Sequence, residues 1–549
     1  MYQKIIKKLS NGHRVRITTI LCSIIIYVSA QSALPTPRDN MSHPSPTTQK
    51  KKIEMIRANY LINRPNFEPF VLLDSVILFH DGAYMYCDSA YLDQINNTFE
   101  AFSNIRVEQG DTLFLYGDYL HYDANMKLLK IRHNVRLENK NVTLFTDSLD
   151  YNREINLAYY FDGGMLIDEE NELTSFWGQY EPTIKIATFS DSVKLVNDKF
   201  ILYSDTLKYN TDNKIATILG PSTIVSDSGT IYTKKGWYNA QNEESRLFDR
   251  SLIVNKEGNR TLTGDTIFYD KFTGLGEVFG NMFIQDTLKK IILRGNYGYF
   301  DEINNYAMAT DSAFCIEYSQ GDSLYLHGDT LKLETDSIYR KIKAYYNVRF
   351  FRSDVQGVCD SLQFDTKDSV LYMYKEPVLW NEAQQLSGDT IEIFMNDSTI
   401  DRMHIKNYCF AIEQKDSLYY NQLKGRDLKA FFEGKDLRYI IVSGNAESIF
   451  FNEEKNGSLN EMNQSESSYL SITLREKKME KLKLWTNPPT KANVKITPIP
   501  QLQEAQMKLK DFQWFDYLRP TDKEDIFRKV KKKENALRPK VSDKFKQEE

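Results

Sequence analysis

The ionisable side chain that recurs at regular spacing in this sequence is aspartate, and it recurs in one short context. Thr146-Asp147-Ser148-Leu149-Asp150-Tyr151-Asn152 is one copy. Others are Gly117-Asp118-Tyr119-Leu120-His121-Tyr122, Ser204-Asp205-Thr206-Leu207-Lys208-Tyr209 and Gly264-Asp265-Thr266-Ile267-Phe268-Tyr269. Gly328-Asp329-Thr330-Leu331, Cys359-Asp360-Ser361-Leu362-Gln363-Phe364 and Gly388-Asp389-Thr390-Ile391 follow, and Cys87-Asp88-Ser89 opens the series. A column of carboxylates could collect calcium or cap turns. The glycine-rich nonapeptide of calcium-binding β-rolls is missing, whereas an Asp behind a small residue readily accepts hydrogen bonds from turn amides. Turn capping is therefore expected, with no metal. His80, His121, His133, His327 and His404 are dispersed without ligand spacing. Glu169-Glu170 and Glu243-Glu244 read as solvated loops rather than a glycosidase dyad. There is no Gly-x-Ser-x-Gly elbow, phosphate loop or dinucleotide fingerprint, so neither an enzyme nor a cofactor is expected.

The elements that carry these aspartates must be strands. Asp147, Leu149 and Tyr151 are two apart and would share one face of an extended chain, with Ser148, Asp150 and Asn152 on the other. About sixteen residues after each Asp comes a corner with Asn, as in Ser103-Asn104, His133-Asn134, Gly280-Asn281, Tyr346-Asn347, Lys406-Asn407 and Gly444-Asn445. Degenerate copies at Gly178-Gln179-Tyr180, Gly236-Trp237-Tyr238, Gly295-Asn296-Tyr297 and Gly425-Arg426-Asp427 bring the series to about twelve units of roughly 30 residues, the spacing of a solenoid. The sequence thus predicts an all-β chain, an elongated β-jellyroll or β-solenoid, with a short helical C-terminal extension. Its 34 Tyr and 31 Phe suit strands. Each unit would add one or two strand spacings of ~4.8 Å.

In chain order, residues 1–30 read as a signal peptide: Lys4, Lys7, Lys8, Arg14 and Arg16, an apolar run from Ile17 to Val28, and Val28-Ser29-Ala30 as cleavage site. Residues 31–69 read as a flexible lead-in and 70–451 as the repeat array. Residues 452–500 read as a polar loop, a last hairpin over Tyr469 to Trp485 and a linker with Pro488, Pro489, Pro498 and Pro500. Residues 501–549 read as a helical segment and charged tail. The segment from Gln501 is expected to fold back over the last hairpin, held down by Phe512, Trp514, Phe515 and Tyr517. Cys87, Cys315, Cys359 and Cys409 lie too many repeats apart to bridge and should be buried thiols. The formal net charge of −5 argues against nucleic-acid binding.

Tandem Asp-x-Leu-x-Tyr-Asp strands, each followed by an Asn or Gly corner, resemble the OstA/LptA family over 70–451. The resemblance implies a periplasmic bridge of lipopolysaccharide transport, an open β-jellyroll whose apolar groove carries lipid A acyl chains towards the outer membrane. The array is longer than in the usual bridge protein and resembles the long OstA-like form of Bacteroidetes-type bacteria. Partners implied are lipopolysaccharide and other transport components joined by edge-to-edge β-pairing. On strand parity the groove-facing candidates are Leu120, Tyr122, Leu149, Tyr151, Leu207, Tyr209, Ile267, Tyr269, Leu331, Leu362, Phe364 and Ile391. The bland alternative for each is a closed core, since buried strand faces ordinarily pack. Two other functions stay open: a non-catalytic envelope scaffold or adhesin, and a polysaccharide-processing β-helix enzyme.

Overall fold

Alternation builds each strand, and a two-residue interruption shapes the molecule. The structure, a computed structural model, describes residues 51–530 apart from 65–66, 320, 337–338, 397–398, 435, 455–456, 477 and 489–490. The signal peptide, the lead-in up to residue 50 and the tail from Lys531-Lys532-Lys533 lie outside the described residues. The compact body that carries the repeats begins at Lys52.

Its strands number 38 among the described residues and join in one sheet, pairing antiparallel with near neighbours in sequence. Ala83–Asp93 and Thr98–Gln109 make one unit, Leu113–Asp123 and Leu128–Asn139 the next. In each pair the register skips at the corner: Tyr86 faces Arg106, Ser89 faces Phe102, and Ser103-Asn104 is left between. Ser103 and Asn104 have φ of 63° and 52°, and His133-Asn134 and Tyr346-Asn347 repeat the pair of left-handed residues. Asn and Gly tolerate that conformation with least strain. The aspartates hold these corners. Asn104 Nδ2 donates to Asp88 Oδ2 at 2.7 Å, Asn134 to Asp118 at 2.6 Å, Asn281 to Asp265 at 2.8 Å and Asn347 to Asp329 at 2.8 Å. The small residue ahead of the Asp has a steric cause. A Cβ on Gly264 would stand 2.2 Å from Val278 Cγ1 on the neighbouring strand.

Because the corner breaks the alternation, one expectation fails at the aspartate itself. Asp147 is exposed while Leu149 and Tyr151 are buried, so the three do not share a face. Ser148 and Asp150 on the opposite face are covered too, Asp150 by Arg132 at 2.8 Å.

Each corner divides its strand between two layers that meet there and face each other across the interior. The half before the Asp (83–87, 113–117, 142–146, 200–204) lies in layer two, and the half after it (89–93, 119–123, 148–152, 206–210) in layer one. The turns at the far ends of the two layers form two rims opposite the corner side.

Several segments differ from the sequence reading. Within the lead-in, Glu54–Arg57 and Tyr60–Arg64 are strands paired to the strand beginning at Phe67. Asn59 Nδ2 donates to Asp74 at 2.6 Å, a corner whose order is reversed and so was not legible as a repeat. The supposed loop after 451 is mostly strand, Leu459–Arg475, and Asn493–Pro498 within the linker pairs with it. Their polar residues alternate outward, which hid them. The expected last hairpin is present as Tyr469↔Trp485 to Arg475↔Lys478.

Over its described residues, up to Val530, the C-terminal extension is not an α-helix. It is an extended strap with single 3-10 turns at Ile499–Gln501, Glu504–Gln506, Asp516–Leu518 and Asp525–Phe527. Its backbone bonds go sideways to the sheet, which removes the reason to coil. Gln422 meets the Met507 carbonyl at 2.7 Å and the Leu509 N–H at 2.8 Å; Gln385 meets the Gln513 carbonyl at 2.9 Å and the Phe515 N–H at 2.7 Å. Arg519 reaches Gln356 at 2.8 Å. The strap lies along the outer face of layer two, running backwards past successive repeats, not over the last hairpin. Phe512 packs on Phe410 and Tyr420, Phe515 against Val378 and Trp380, and Phe527 on Phe314 and His327. Cys87, Cys315, Cys359 and Cys409 form no disulfide and are buried, and burial pushes the Cys87 and Cys315 thiols up to about 12.

Candidate functional site

The feature that varies along otherwise uniform repeats is how well the two layers close on each other. It can be followed at two equivalent positions. In layer two, the residue two before the small corner residue is Met85, Leu115, Leu144, Leu173 and Leu202, each at most 1% exposed. The next three, Ile231, Leu262 and Leu293, are half-buried, and Leu326 is 7% exposed. In layer one, four residues after the Asp or its equivalent stand Leu92, Tyr122, Tyr151, Tyr180, Tyr209 and Tyr238, none above 4% exposed. Tyr269, Phe300, Leu333 and Phe364 after them are half-buried, and Ile393 returns to 7%. Both layers open over the same stretch.

Polar contacts across the rims explain the closed part. Arg153 from layer one donates to Gln109 at 3.0 Å and to the backbone carbonyls of His80 at 3.1 Å and Asp81 at 2.9 Å on layer two. His80 Nδ1 meets Tyr122 Oη at 2.7 Å, and Lys127 pairs with Asp81 at 2.8 Å. Asn139 donates to Tyr180 at 3.1 Å. Tyr209 donates to buried Asp168 at 2.9 Å, and Lys214 reaches the same carboxylate at 2.6 Å. Burial first, and then the Asp168 charge, push the Tyr209 phenol well above its ordinary range. Further along, rim contacts join neighbours within one layer. Arg260 pairs with Asp286 at 3.1 Å, Tyr269 donates to Glu302 at 2.7 Å, and Lys341 pairs with Asp365 at 3.1 Å.

The candidates taken from strand parity divide accordingly. Leu120, Tyr122, Leu149, Tyr151, Leu207 and Tyr209 are at most 1% exposed and belong to one core cluster, the closed interior. Ile267, Leu331, Leu362 and Ile391 are buried in a second cluster. Tyr269 and Phe364 are half-buried in the opened stretch, where Tyr269 stacks on Phe300 with centroids 5.9 Å apart. Sequence reasoning followed only the half-strand after the Asp. It missed Ile253, Leu262, Ile284, Ile291 and Leu293 in layer two, which are half-buried against the second cluster. Alternation counted back from the small corner residue, out of phase with the half after the Asp because the corner shifts the parity, would have found Leu262, Ile291 and Leu293. Two clefts of about 590 and 870 Å³ lie elsewhere, lined chiefly by corner and outward-facing residues such as Lys375 and Asp389, or Tyr203, Tyr232 and Arg250. Neither is the interior.

The interior is apolar and half-open between hydrogen-bonded walls. It can take an alkyl chain, each methylene gaining about 0.8 kcal/mol on leaving water. Residues 50–205 match the OstA-like protein family, the family that the repeat pattern resembles. No curated protein matches the chain. Among solved structures the chain is similar to LptH, the LptA-homologous periplasmic component of the lipopolysaccharide transport device of Pseudomonas aeruginosa. That likeness has 10% identity and a TM-score of 0.20, and covers 26% of this chain and 93% of that one.

Proposed function

With residues 50–205 assigned to the OstA-like family, we propose that this protein is a lipid-binding bridge of lipopolysaccharide transport. It works in the periplasm after export by the N-terminal signal, holding lipid A acyl chains and passing them towards the outer membrane. The observation that carries the reading is the joint half-burial of Leu262, Leu293, Tyr269, Phe300 and Phe364 on facing layers. The cargo site is assigned to this stretch, and the tightly packed repeats before it serve as an arm. The exposed terminal strands Glu54–Arg57 and Tyr60–Arg64 offer unpaired backbone groups for edge-to-edge pairing with other transport components. The packed interior of the first repeats also suits the competing scaffold role. Photoreactive residues at Leu293 and Phe300 separate the two: they should capture lipopolysaccharide in cells, and Leu202 and Tyr209 should not. Capture at none of the four would leave the scaffold.

A further inference from the structure

Where the interior opens, cations of both rims act on one another beside a buried carboxylate. Asp286 ends its strand at the rim of layer two and is 6% exposed. Its register partner Arg260 holds Oδ2 at 3.1 Å, and the backbone N–H of Lys289 donates to Oδ1 at 2.8 Å. Arg340, the first residue of its strand, comes from the rim of layer one, with its backbone N–H on Thr366 at 2.7 Å. Lys289 is half-buried, and its ammonium is held below the ordinary range first by that burial, then by the charges of Arg260 and Arg340; Asp286 acts in the opposite sense. Among the described residues no carboxylate side chain forms an ion pair with Lys289 or Arg340. The lips of the opening are apolar: Leu288 is 75% exposed on one rim, Phe272 87% and Ile303 67% on the other.

We propose that Arg260, Lys289 and Arg340 bind the phosphate group of an acylated lipid whose chains enter the interior between the two rims. The proposal rests on the lipid-binding reading above and adds the headgroup chemistry. Three cations beside one carboxylate leave an excess of about two positive charges, matching the roughly −1.5 to −2 of a phosphate monoester. The arginine forks supply paired donors to phosphate oxygens, and Lys289 a point charge. Leu288, the residue before Lys289, is exposed beside that seat, so a chain attached to a phosphate there passes directly onto apolar surface. The same cations could take inorganic phosphate, which lacks that second contact.

Titration calorimetry of the full chain at low salt, with dodecyl phosphate, dodecyl maltoside and inorganic phosphate, decides the matter. Dodecyl phosphate should bind about tenfold tighter than dodecyl maltoside, the worth of a charge-assisted contact. Lys289→Gln and Arg340→Gln should each weaken dodecyl phosphate by about threefold and leave dodecyl maltoside unchanged. Arg340→Lys should restore part of the loss, and Lys290→Gln, one residue along the same turn, should change nothing. If both Gln variants bind dodecyl phosphate like the native chain while dodecyl maltoside still binds, the headgroup site is wrong and the groove stands. If neither dodecyl compound binds the native chain, the groove fails and takes this proposal with it. Inorganic phosphate binding as tightly as dodecyl phosphate would make this a free-phosphate site and overturn the lipid assignment.

Discussion

Leu202 and Leu293 occupy the same position in their repeats, two residues before the small corner residue, and differ in how far the facing layer covers them. Leu202 is 0% exposed and Leu293 half-buried. Leu202→Ala would leave a cavity between closed layers, at a cost of about 2–5 kcal/mol. At Leu293 part of the side chain already meets water, and the space left is continuous with the opening. Losing roughly half the transfer energy of a leucine costs about 1 kcal/mol there. A stack of repeats opens locally, so the loss should be read as hydrogen exchange of the mutated strand itself, Phe200–Asn210 or Ile291–Asp301. The binding effect should run the other way. Leu293→Ala removes contacts to a bound alkyl chain and should weaken dodecyl phosphate by about fourfold for each methylene-equivalent lost; Leu202→Ala should leave it unchanged. Equal losses of protection, or equal losses of binding, would mean that the interior is no more open at Leu293 than at Leu202.

The seam offers a complementary test: Arg153→Met removes the donor to Gln109, His80 and Asp81, and should cost about 2–4 kcal/mol through unsatisfied groups. Exchange at His80–Ala83 should quicken, and unchanged exchange would show that the rims close without it. Gln385→Leu keeps the size of a 0% exposed side chain but strands the Gln513 carbonyl and the Phe515 N–H. It should release the strap by about 2–4 kcal/mol, seen as proteolysis between 507 and 519 at an unchanged melting temperature of the sheet. High pH should act on the tyrosines of the closed interior, where burial raises Tyr151 and Tyr160 to about 12 from the ordinary 10.0. A raised phenol favours the folded state fully below its unfolded value and loses that contribution as pH climbs through the folded one. Phenolate absorbance should therefore appear together with unfolding between about pH 10 and 12; a gradual titration near 10 without unfolding would contradict the packing.

The fold was legible in the sequence because its signals are local. Asp118 and Asn134 sit on consecutive strands, so their contact repeats at a nearly constant offset and shows as a pattern in one dimension. Strand parity likewise gave the buried status of Leu149 and Tyr151 without any partner being known. The strap was misread because its partners are far away. Gln385 and Phe515 are 130 residues apart, and nothing near Phe515 indicates that its N–H will be taken by a side chain and not by a helical carbonyl. The edge strands were missed for a related reason: Tyr60–Arg64 is exposed along its length, so no apolar alternation marks it. The candidate site was half legible. Parity identified which side chains point inward, but whether the facing layer covers them depends on rim contacts between residues such as Asp168 and Lys214, 46 apart.

One element of that closure is nevertheless written at a fixed place in several repeats. The residue four after the corner Asp, or its equivalent, is a latch in three closed repeats, where the hydroxyls of Tyr122, Tyr180 and Tyr209 bond across the interior to His80, Asn139 or Asp168 at the opposite rim; Tyr151 and Tyr238, also buried, turn theirs to Asn156 and Glu243 in their own layer. A tyrosine there fills the space with its ring and fastens the far layer with its oxygen, and a buried hydroxyl without a partner would cost about 1–3 kcal/mol. In the opened stretch the latch is absent in two ways. Tyr269 keeps its hydroxyl but gives it to Glu302 in its own layer, and Phe300, Leu333 and Phe364 have none to give. Ring and leucine side chains can still pack, so the repeat retains its corner and its sheet pairing while the rims lose their tie. An apolar side chain without a hydroxyl is also what an alkyl chain requires of a wall, since it leaves no polar group unpaired when the chain enters. From Phe300 on, an apolar side chain at this place adds no tie between the rims and gives the interior a wall that suits lipid. Buried Tyr151 and Tyr238 close the layers by ring packing without the latch; from Tyr269 and Phe300, beside Arg260 and Lys289, through to Phe364 the position has neither a latch nor full cover.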